Sequence, residues 1–251
     1  MERLDKVISA TGKKSRREVK LLVRQGRILV DGVPASASDM KVDPEKAEIL
    51  LDGESIRYEK FTYLMLHKPA GVISAVDDAR QRTVLDLLPE ELRRRGLFPV
   101  GRLDRDTEGL LLVTNDGALA HRLLSPRSHV DKVYYARVEG TLQEADSRAF
   151  EEGMTLSDGL KCRPARLEIL SPHEALVTLR EGKFHQVKRM MKERGKTVLY
   201  LKRLAMGPLQ LDSQLAPGTY RPLTREEVAG LQRGGEDDLS TERQKIPKDF
   251  C

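Results

Sequence analysis

The sequence predicts an α+β protein in two unequal parts. A small N-terminal α/β domain comes first, followed by a larger domain built on a mixed, mainly antiparallel sheet flanked by helices. Three observations carry this reading. Apolar residues recur at helical spacing near the start, in Leu4, Val7 and Ile8 and again in Val19, Leu22 and Val23. Short β-type runs come next, punctuated by Asp-Gly turns. Beyond them, strand-length apolar runs dominate and helical stretches are scattered between them.

In chain order, the first helix is followed by a second, basic one. Ser15 is placed to cap it, with Glu18 three residues on completing a capping box. The stretch GRILVDGVPASASDMKVDPEKAEILLDGESI then alternates short strands with turns at Asp31-Gly32 and Asp52-Gly53. This unit, residues 1–58, is small for an independent core and is expected to lean on a larger neighbour. The second domain, 59–232, opens on FTYLMLHKPAGVISAV, an apolar strand interrupted by a Lys-Pro-x-Gly turn. Strands are predicted around 62–66, 97–100, 109–114, 132–139, 165–169 and 174–180, and helices around 83–94, 117–124, 142–152, 185–194 and 224–232. Residues 233–251 turn polar and mixed in charge and are expected to form a flexible tail.

Composition narrows the function classes. With 39% apolar and 33% charged residues, the chain suits a soluble globular protein. It lacks an apolar run near the roughly 20 residues that cross a membrane. The N-terminus is too charged for a secretory signal. Cys162 and Cys251 are too few and too distant for a disulfide framework, so a reducing cytoplasm is expected. The net charge of +5 is unevenly spread: residues 1–28 carry +6, residues 181–203 another +6, and the remainder −7. Two concentrated basic segments are the footprint of phosphate-backbone binding, although a charge run is also an ordinary solvated face.

No Cys-x-x-Cys, His-x-x-x-His or dense carboxylate loop suggests a metal. Neither the Gly-x-x-x-x-Gly-Lys-Ser/Thr phosphate loop nor a Gly-x-Gly-x-x-Gly fingerprint is present. No cofactor is therefore expected, and any chemistry falls to side chains. Three stretches can supply it. GRLDRDTEGLLLVTNDG, residues 101–117, sets Asp104 before a Thr-Glu-Gly turn into a buried strand. DKVYYARVEG, residues 131–140, places Lys132, Tyr134 and Ala136 on one strand face. EGKFHQVKRMMKERG, residues 181–195, ends a strand and starts a helix with Val187, Met190 and Met191 as its apolar stripe. Each has a plain structural alternative. Asp104 suits a turn, Tyr134 a half-buried core position, Lys188 a solvated helix face and His185 a helix start; the methionines read as core.

Taken together, GRLDRDTEGLLLVTNDG, EGKFHQVKRMM and LKRLAMGPLQLDSQLAPGTYRPLT resemble successive motifs of the RsuA branch of pseudouridine synthases. LMLHKPAGVISAVDD is similar to the segment that opens the catalytic domain there. RLDKVISATGKKSRREVKLLVRQGRILVDG resembles the S4-like RNA-binding module fused to it. The resemblance runs collinearly over residues 2–232. It implies isomerisation of uridine to pseudouridine in ribosomal RNA, the small-subunit RNA favoured over the large. It also implies Asp104 as the essential carboxylate, as nucleophile or as base, with Lys188 as its cation and Tyr134 stacking on the target base. Arg102 is expected to hold or replace the flipped nucleotide. Lys68, His185, Gln186 and Arg189 are further expected RNA contacts, and Lys13, Lys14, Arg16, Arg17, Lys20 and Arg24 supply phosphate contacts from the N-terminal helices. The expected partner is ribosomal RNA or a pre-ribosomal particle, met by a monomer with no membrane and no small-molecule cofactor. A non-catalytic ribosome-assembly factor and a metal-dependent hydrolase are the competing classes.

Overall fold

A computed structural model describes residues 1–125 and 130–233. The chain forms two compact units: Met1–Thr62 with Leu85–Phe98, and Tyr63–Val84 with Pro99 onward. The tail expected over 233–251 lies, beyond Arg233, outside the described residues, as does Cys251.

In the first unit, helices α1 (Leu4–Ala10) and α2 (Arg16–Arg24) bury their apolar stripes against short strands. The predicted capping box forms: the Glu18 amide donates to Ser15 Oγ at 3.3 Å, and the Ser15 amide donates to Glu18 Oε2 at 2.7 Å. Strands Ile28–Val30, Val33–Pro34, Ile49–Leu51 and Glu54–Ser55 make a four-stranded sheet with the first and third paired at its centre. Its hairpins turn at Asp31-Gly32 and Asp52-Gly53, where both residues have positive φ, as a tight hairpin requires. The unit's core is Leu4, Val7, Ile8, Val19, Leu22, Ile28 and Ile49, with their neighbours.

The segment 85–98 belongs with this unit by proximity, whereas the sequence pattern places it within 59–232. The helix expected over 83–94 shrinks to a 3₁₀ turn at Leu85–Leu87 and one short turn, α3 (Glu90–Arg93). Pro89 separates them, because its ring blocks a continuous helix through that position. Arg95 then donates to the Ala10 carbonyl at 3.1 Å.

The second unit holds the main sheet. Its strands are β1 (Tyr63–Lys68), β2 (Glu108–Thr114), β3 (Lys132–Glu139), β4 (Arg166–Ser171), β5 (Glu174–Leu179), β6 (Thr197–Met206), β7 (Leu209–Gln210) and β8 (Tyr220–Pro222). Across the sheet the order is β4-β5-β3-β6-β2-β1-β8, with β7 paired to β6. All of these pairings are antiparallel except β6 with β2, so the predicted mixed, mainly antiparallel sheet is present. Strand β6 and the short β7 and β8 were not anticipated from the sequence. Helices α4 (Gly117–Leu124), α5 (Glu144–Glu152), α6 (Gln186–Glu193) and α7 (Arg225–Arg233) accompany the sheet close to their predicted spans.

Two local features of this unit place individual side chains. Strand β3 carries a register shift against β6 between Val133 and Tyr134, a bulge of the kind that re-aims a side chain. Helix α6 sinks Val187, Met190 and Met191 into a core shared with Tyr134, Val177 and Leu201, as the apolar stripe predicted.

The parallel contact between β2 and β6 is unusually close at Gly109. Its φ is +104°, and a Cβ there would stand 2.2 Å from the Arg203 carbonyl oxygen. Only glycine fits such a conformation beside another backbone. Gly109→Ala is therefore expected to cost about 3 kcal/mol of stability, read as a lowered urea midpoint by far-UV circular dichroism.

Candidate active site

The loop between β1 and β2 that carries Asp104 is held from several directions. Ser74 Oγ accepts from the Leu103 amide at 3.0 Å and donates to the Leu103 carbonyl at 3.1 Å. The Gly71 amide donates to the Arg105 carbonyl at 2.8 Å, and the Thr107 amide to the Asp104 carbonyl at 3.1 Å. The Lys68 ammonium donates to three carbonyls: Thr107 at 2.7 Å, Pro69 at 3.1 Å and Arg105 at 3.2 Å. A loop fixed this way presents its carboxylate with little freedom left to lose.

Lys68 was expected to touch RNA, and the structure corrects this. The side chain is 0% exposed, so its cation serves the protein's own loop. Burial pushes its pKa down to about 8, against the opposing pull of Asp106, Asp104 and Glu108. That leaves it largely protonated at neutral pH.

The opposite wall comes from the turn into α6. Gln186 Oε1 accepts from the Lys183 amide at 3.0 Å, and its Nε2 donates to Glu181 Oε1 at 2.6 Å. Gln186 is therefore buried in the turn, where it also lines the pocket beside Asp104. His185 takes a left-handed conformation, φ 50°, at the N-cap of α6. Lys188, one turn into the helix, points at the carboxylates: Nζ lies 3.2 Å from Asp104 Oδ2 and 2.5 Å from Asp106 Oδ1. Arg189, about 100° further round the helix, faces away. It donates to the Phe184 carbonyl at 3.4 Å and pairs with Asp158, so it braces the turn.

These elements enclose one pocket, lined by Arg102, Asp104, Thr107, Tyr134, His185 and Val187 among others. Tyr134, 8% exposed, joins the apolar core and the pocket wall at once. Asp104 keeps 24% of its side chain exposed and has two nitrogens beside it, Lys188 Nζ and His185 Nε2, the latter 3.4 Å from Oδ1. Arg102 stands exposed at the rim. The expected trio of Asp104, Tyr134 and Lys188 thus shares one site, with Arg102 and His185 beside it. Chemically, the site offers an oriented carboxylate, a cation within ion-pair distance of it, and an aromatic wall.

Two participants were not foreseen from sequence. Asp106, read there as an ordinary loop acid, takes the shorter bond from Lys188; burial pushes its carboxyl up, but the hydrogen bond and charge of Lys188, a backbone hydrogen bond and His185 together hold it below the usual range. Phe184, unremarked in the sequence, stacks on His185; an aromatic beside a histidine inside a basic run is the signal that could have found it. The other acids of the motif are structural. Glu108 accepts from the Tyr200 hydroxyl at 2.7 Å. Asp116 caps α4 by accepting from the Leu119 amide at 3.0 Å and also accepts from the Tyr63 hydroxyl at 2.8 Å.

The expected phosphate contacts lie in the first unit. Arg16, Arg17, Lys20 and Arg24 are exposed on α2, and Lys14 is half-buried ahead of it. Lys13 is exposed and faces Glu54 at 3.6 Å. Among the described residues no group of three or more histidines, cysteines and carboxylates is arranged to hold a metal, and no helix is long and apolar enough to cross a membrane.

Residues 62–193 match the RNA pseudouridylate synthase family and residues 2–47 the S4 domain. The chain is 48% identical over 230 residues to the uncharacterised RNA pseudouridine synthase YtzG of Bacillus subtilis, covering 90% of this chain and 96% of that protein. It is 41% identical over 233 residues to ribosomal small subunit pseudouridine synthase A of Pseudomonas aeruginosa, covering 91% and 100% respectively. The protein of the same name in Escherichia coli strain K12 is 38% identical over 231 residues, covering 91% and 99%. Among solved structures, a crystal structure of a pseudouridylate synthase superimposes with a TM-score of 0.66 at 35% identity, covering 92% of this chain and all of that one.

Replacing Lys68 by methionine removes three hydrogen bonds to loop carbonyls, of which that of Arg105 keeps the Gly71 amide as a donor. Lys68→Met is expected to destabilise by about 2–4 kcal/mol at pH 7 in urea unfolding. The folded-state pKa of about 8 lies below the free lysine's 10.5, so the folded state gives up this proton first. Wild-type stability relative to the variant should therefore rise as pH increases from about 8 towards 10.5, and stay level below that window.

Proposed function

The chain belongs to the RNA pseudouridylate synthases, enzymes that isomerise uridine to pseudouridine within RNA, and on that premise we propose that its substrate is ribosomal RNA of the small subunit, with Asp104 as the essential carboxylate. The observation that carries the assignment of Asp104 is that it shares one pocket with His185 and Tyr134 and has the Lys188 ammonium 3.2 Å from its carboxylate. The small-subunit target is favoured by the names of the Pseudomonas and Escherichia relatives, similar over nearly their full length.

The reaction breaks the bond between base and sugar, turns the base, and rejoins it through carbon, with nothing gained or lost overall. A carboxylate assists either as nucleophile at the anomeric carbon or as base at the sugar. Both routes need it ionised while a bound base excludes water, and burial alone would oppose that. Lys188 at 3.2 Å supplies a counter-charge and restricts the carboxylate's rotation. Tyr134, on a strand bulge, offers its ring as one face for the base.

A stacked uridine cannot reach this pocket, so it leaves the stack at a cost of a few kcal/mol. Phosphate contacts offset that cost. Arg102 serves at the rim, and Arg17, Lys20 and Arg24 form one stripe on α2, spaced three and four residues apart. We assign residues 1–58 to RNA capture and 59–232 to chemistry, acting as a monomer in the cytoplasm on naked RNA or a pre-ribosomal particle.

Asp104→Asn is expected to abolish pseudouridine formation on small-subunit rRNA, scored by carbodiimide-dependent primer-extension stops, while RNA affinity stays within about threefold. Stops that persist with the variant would remove Asp104 from the chemistry. Replacing Arg17, Lys20 and Arg24 by glutamine should weaken RNA binding and reduce the slope of log affinity against log salt by about 2–3. An unchanged slope would mean that α2 does not meet phosphate.

A further inference from the structure

We propose that Phe184, stacked on His185 just outside the Asp104 pocket, is a platform for an unpaired base flanking the uridine that enters the pocket. The proposal rests on the reading of that pocket as the seat of a flipped uridine in RNA.

Phe184 is 68% exposed and takes no part in the core of its unit, so the fold does not need it where it stands. It is nonetheless held there. Its ring lies nearly parallel to the His185 imidazole, with centroids 3.8 Å apart and planes inclined by 19°. Its carbonyl accepts a hydrogen bond from Arg189, which is itself paired with Asp158. On one side Gln186 ties down the Lys183 amide. On the other, His185 holds a left-handed backbone, strained for a non-glycine residue, that persists only where its surroundings impose it. An exposed aromatic fixed in advance loses little entropy when something flat settles on it.

Location selects the occupant. His185 lines the pocket and approaches Asp104 to 3.4 Å, whereas Phe184 is one residue outside the lining. The ring therefore stands beside the target site rather than in it, where the next nucleotide of the same strand emerges. Lys183 and Arg102 line the pocket too and suit the phosphates on either side of that nucleotide. Aromatic stacking beside a cationic track is how single-stranded nucleic acid is held without base-edge readout. The imidazole beneath extends the stack and links it to the carboxylate.

The test uses the full chain with three substitutions, F184A, F184L and F184W, and protein-free small- and large-subunit rRNA as probes. F184A and F184L are each expected to raise the KM for RNA about tenfold, while the single-turnover rate at saturating RNA stays near wild type. F184W should restore wild-type KM. F184L keeps apolar bulk without a flat face, so wild-type behaviour in F184L would overturn the platform. The chain contains no tryptophan, so F184W also introduces a sole indole reporter. Its emission should be quenched when rRNA binds; unchanged emission on a bound RNA would overturn the proposal. If the wild-type protein converts no uridine in either rRNA, the functional reading fails on its own, and the F184W emission with the same RNAs still decides whether this ring meets bases.

Discussion

A buried lysine ammonium is the constraint around which the catalytic unit is arranged. Taking a charge out of water is expensive unless hydrogen bonds replace the lost hydration. Lys68 meets that condition with the carbonyls of Pro69, Arg105 and Thr107, while the carboxylates of the same loop moderate the loss of charge. Because two of those carbonyls flank Asp104 and Asp106, satisfying the cation also fixes where these acids stand. The Lys-Pro-x-Gly turn and the Gly-Arg-Leu-Asp loop are thus one structure, although over thirty residues separate them in the chain.

The second cation works differently. Lys188 is partly exposed and divided between two carboxylates, with the shorter bond going to Asp106. Since Asp106 is largely solvated, its hold on the ammonium is easily exchanged for water, and the arrangement keeps Lys188 near Asp104 without neutralising it fully. His185 adds a third group at the same carboxylate. One acid can therefore be kept available for work while its neighbour carries part of the counter-charge.

Much of this was legible from residue patterns, and all but one of the failures share a cause. Strands β2, β3 and β5, helices α4 and α6, and the capping box at Ser15 arise from periodicity and turn chemistry, which are local. Strand β6 escaped because Lys202 and Arg203 interrupt its apolar run; Arg203 is buried and donates to the Leu110 carbonyl, a partner 93 residues away. Lys68 and Gln186 read as surface groups for the same reason: residue type announces a charge or an amide, and only the tertiary fold decides whether a carbonyl or water receives it. Asp106 likewise acquires a role only through a helix 82 residues further on. The overlong helix at 83–94 was a local error, since Pro89 was there to be read. The meeting of Asp104 with Lys188 was anticipated from family resemblance, not from spacing, because no spacing rule spans that distance.

The parallel pairing of β2 with β6 has a consequence for how the enzyme comes into being. Antiparallel neighbours can zip from a hairpin, but residues 108–109 and 202–203 must find each other across a loop of more than ninety residues. Such non-local closure is slow and comes after local structure has formed. Helix α6, which packs against β6, cannot settle earlier than its strand. On a ribosome the N-terminal helices and most of the sheet emerge well before β6 does. The nascent chain therefore carries its N-terminal helices for some time before β6 and α6 bring Lys188 to Asp104.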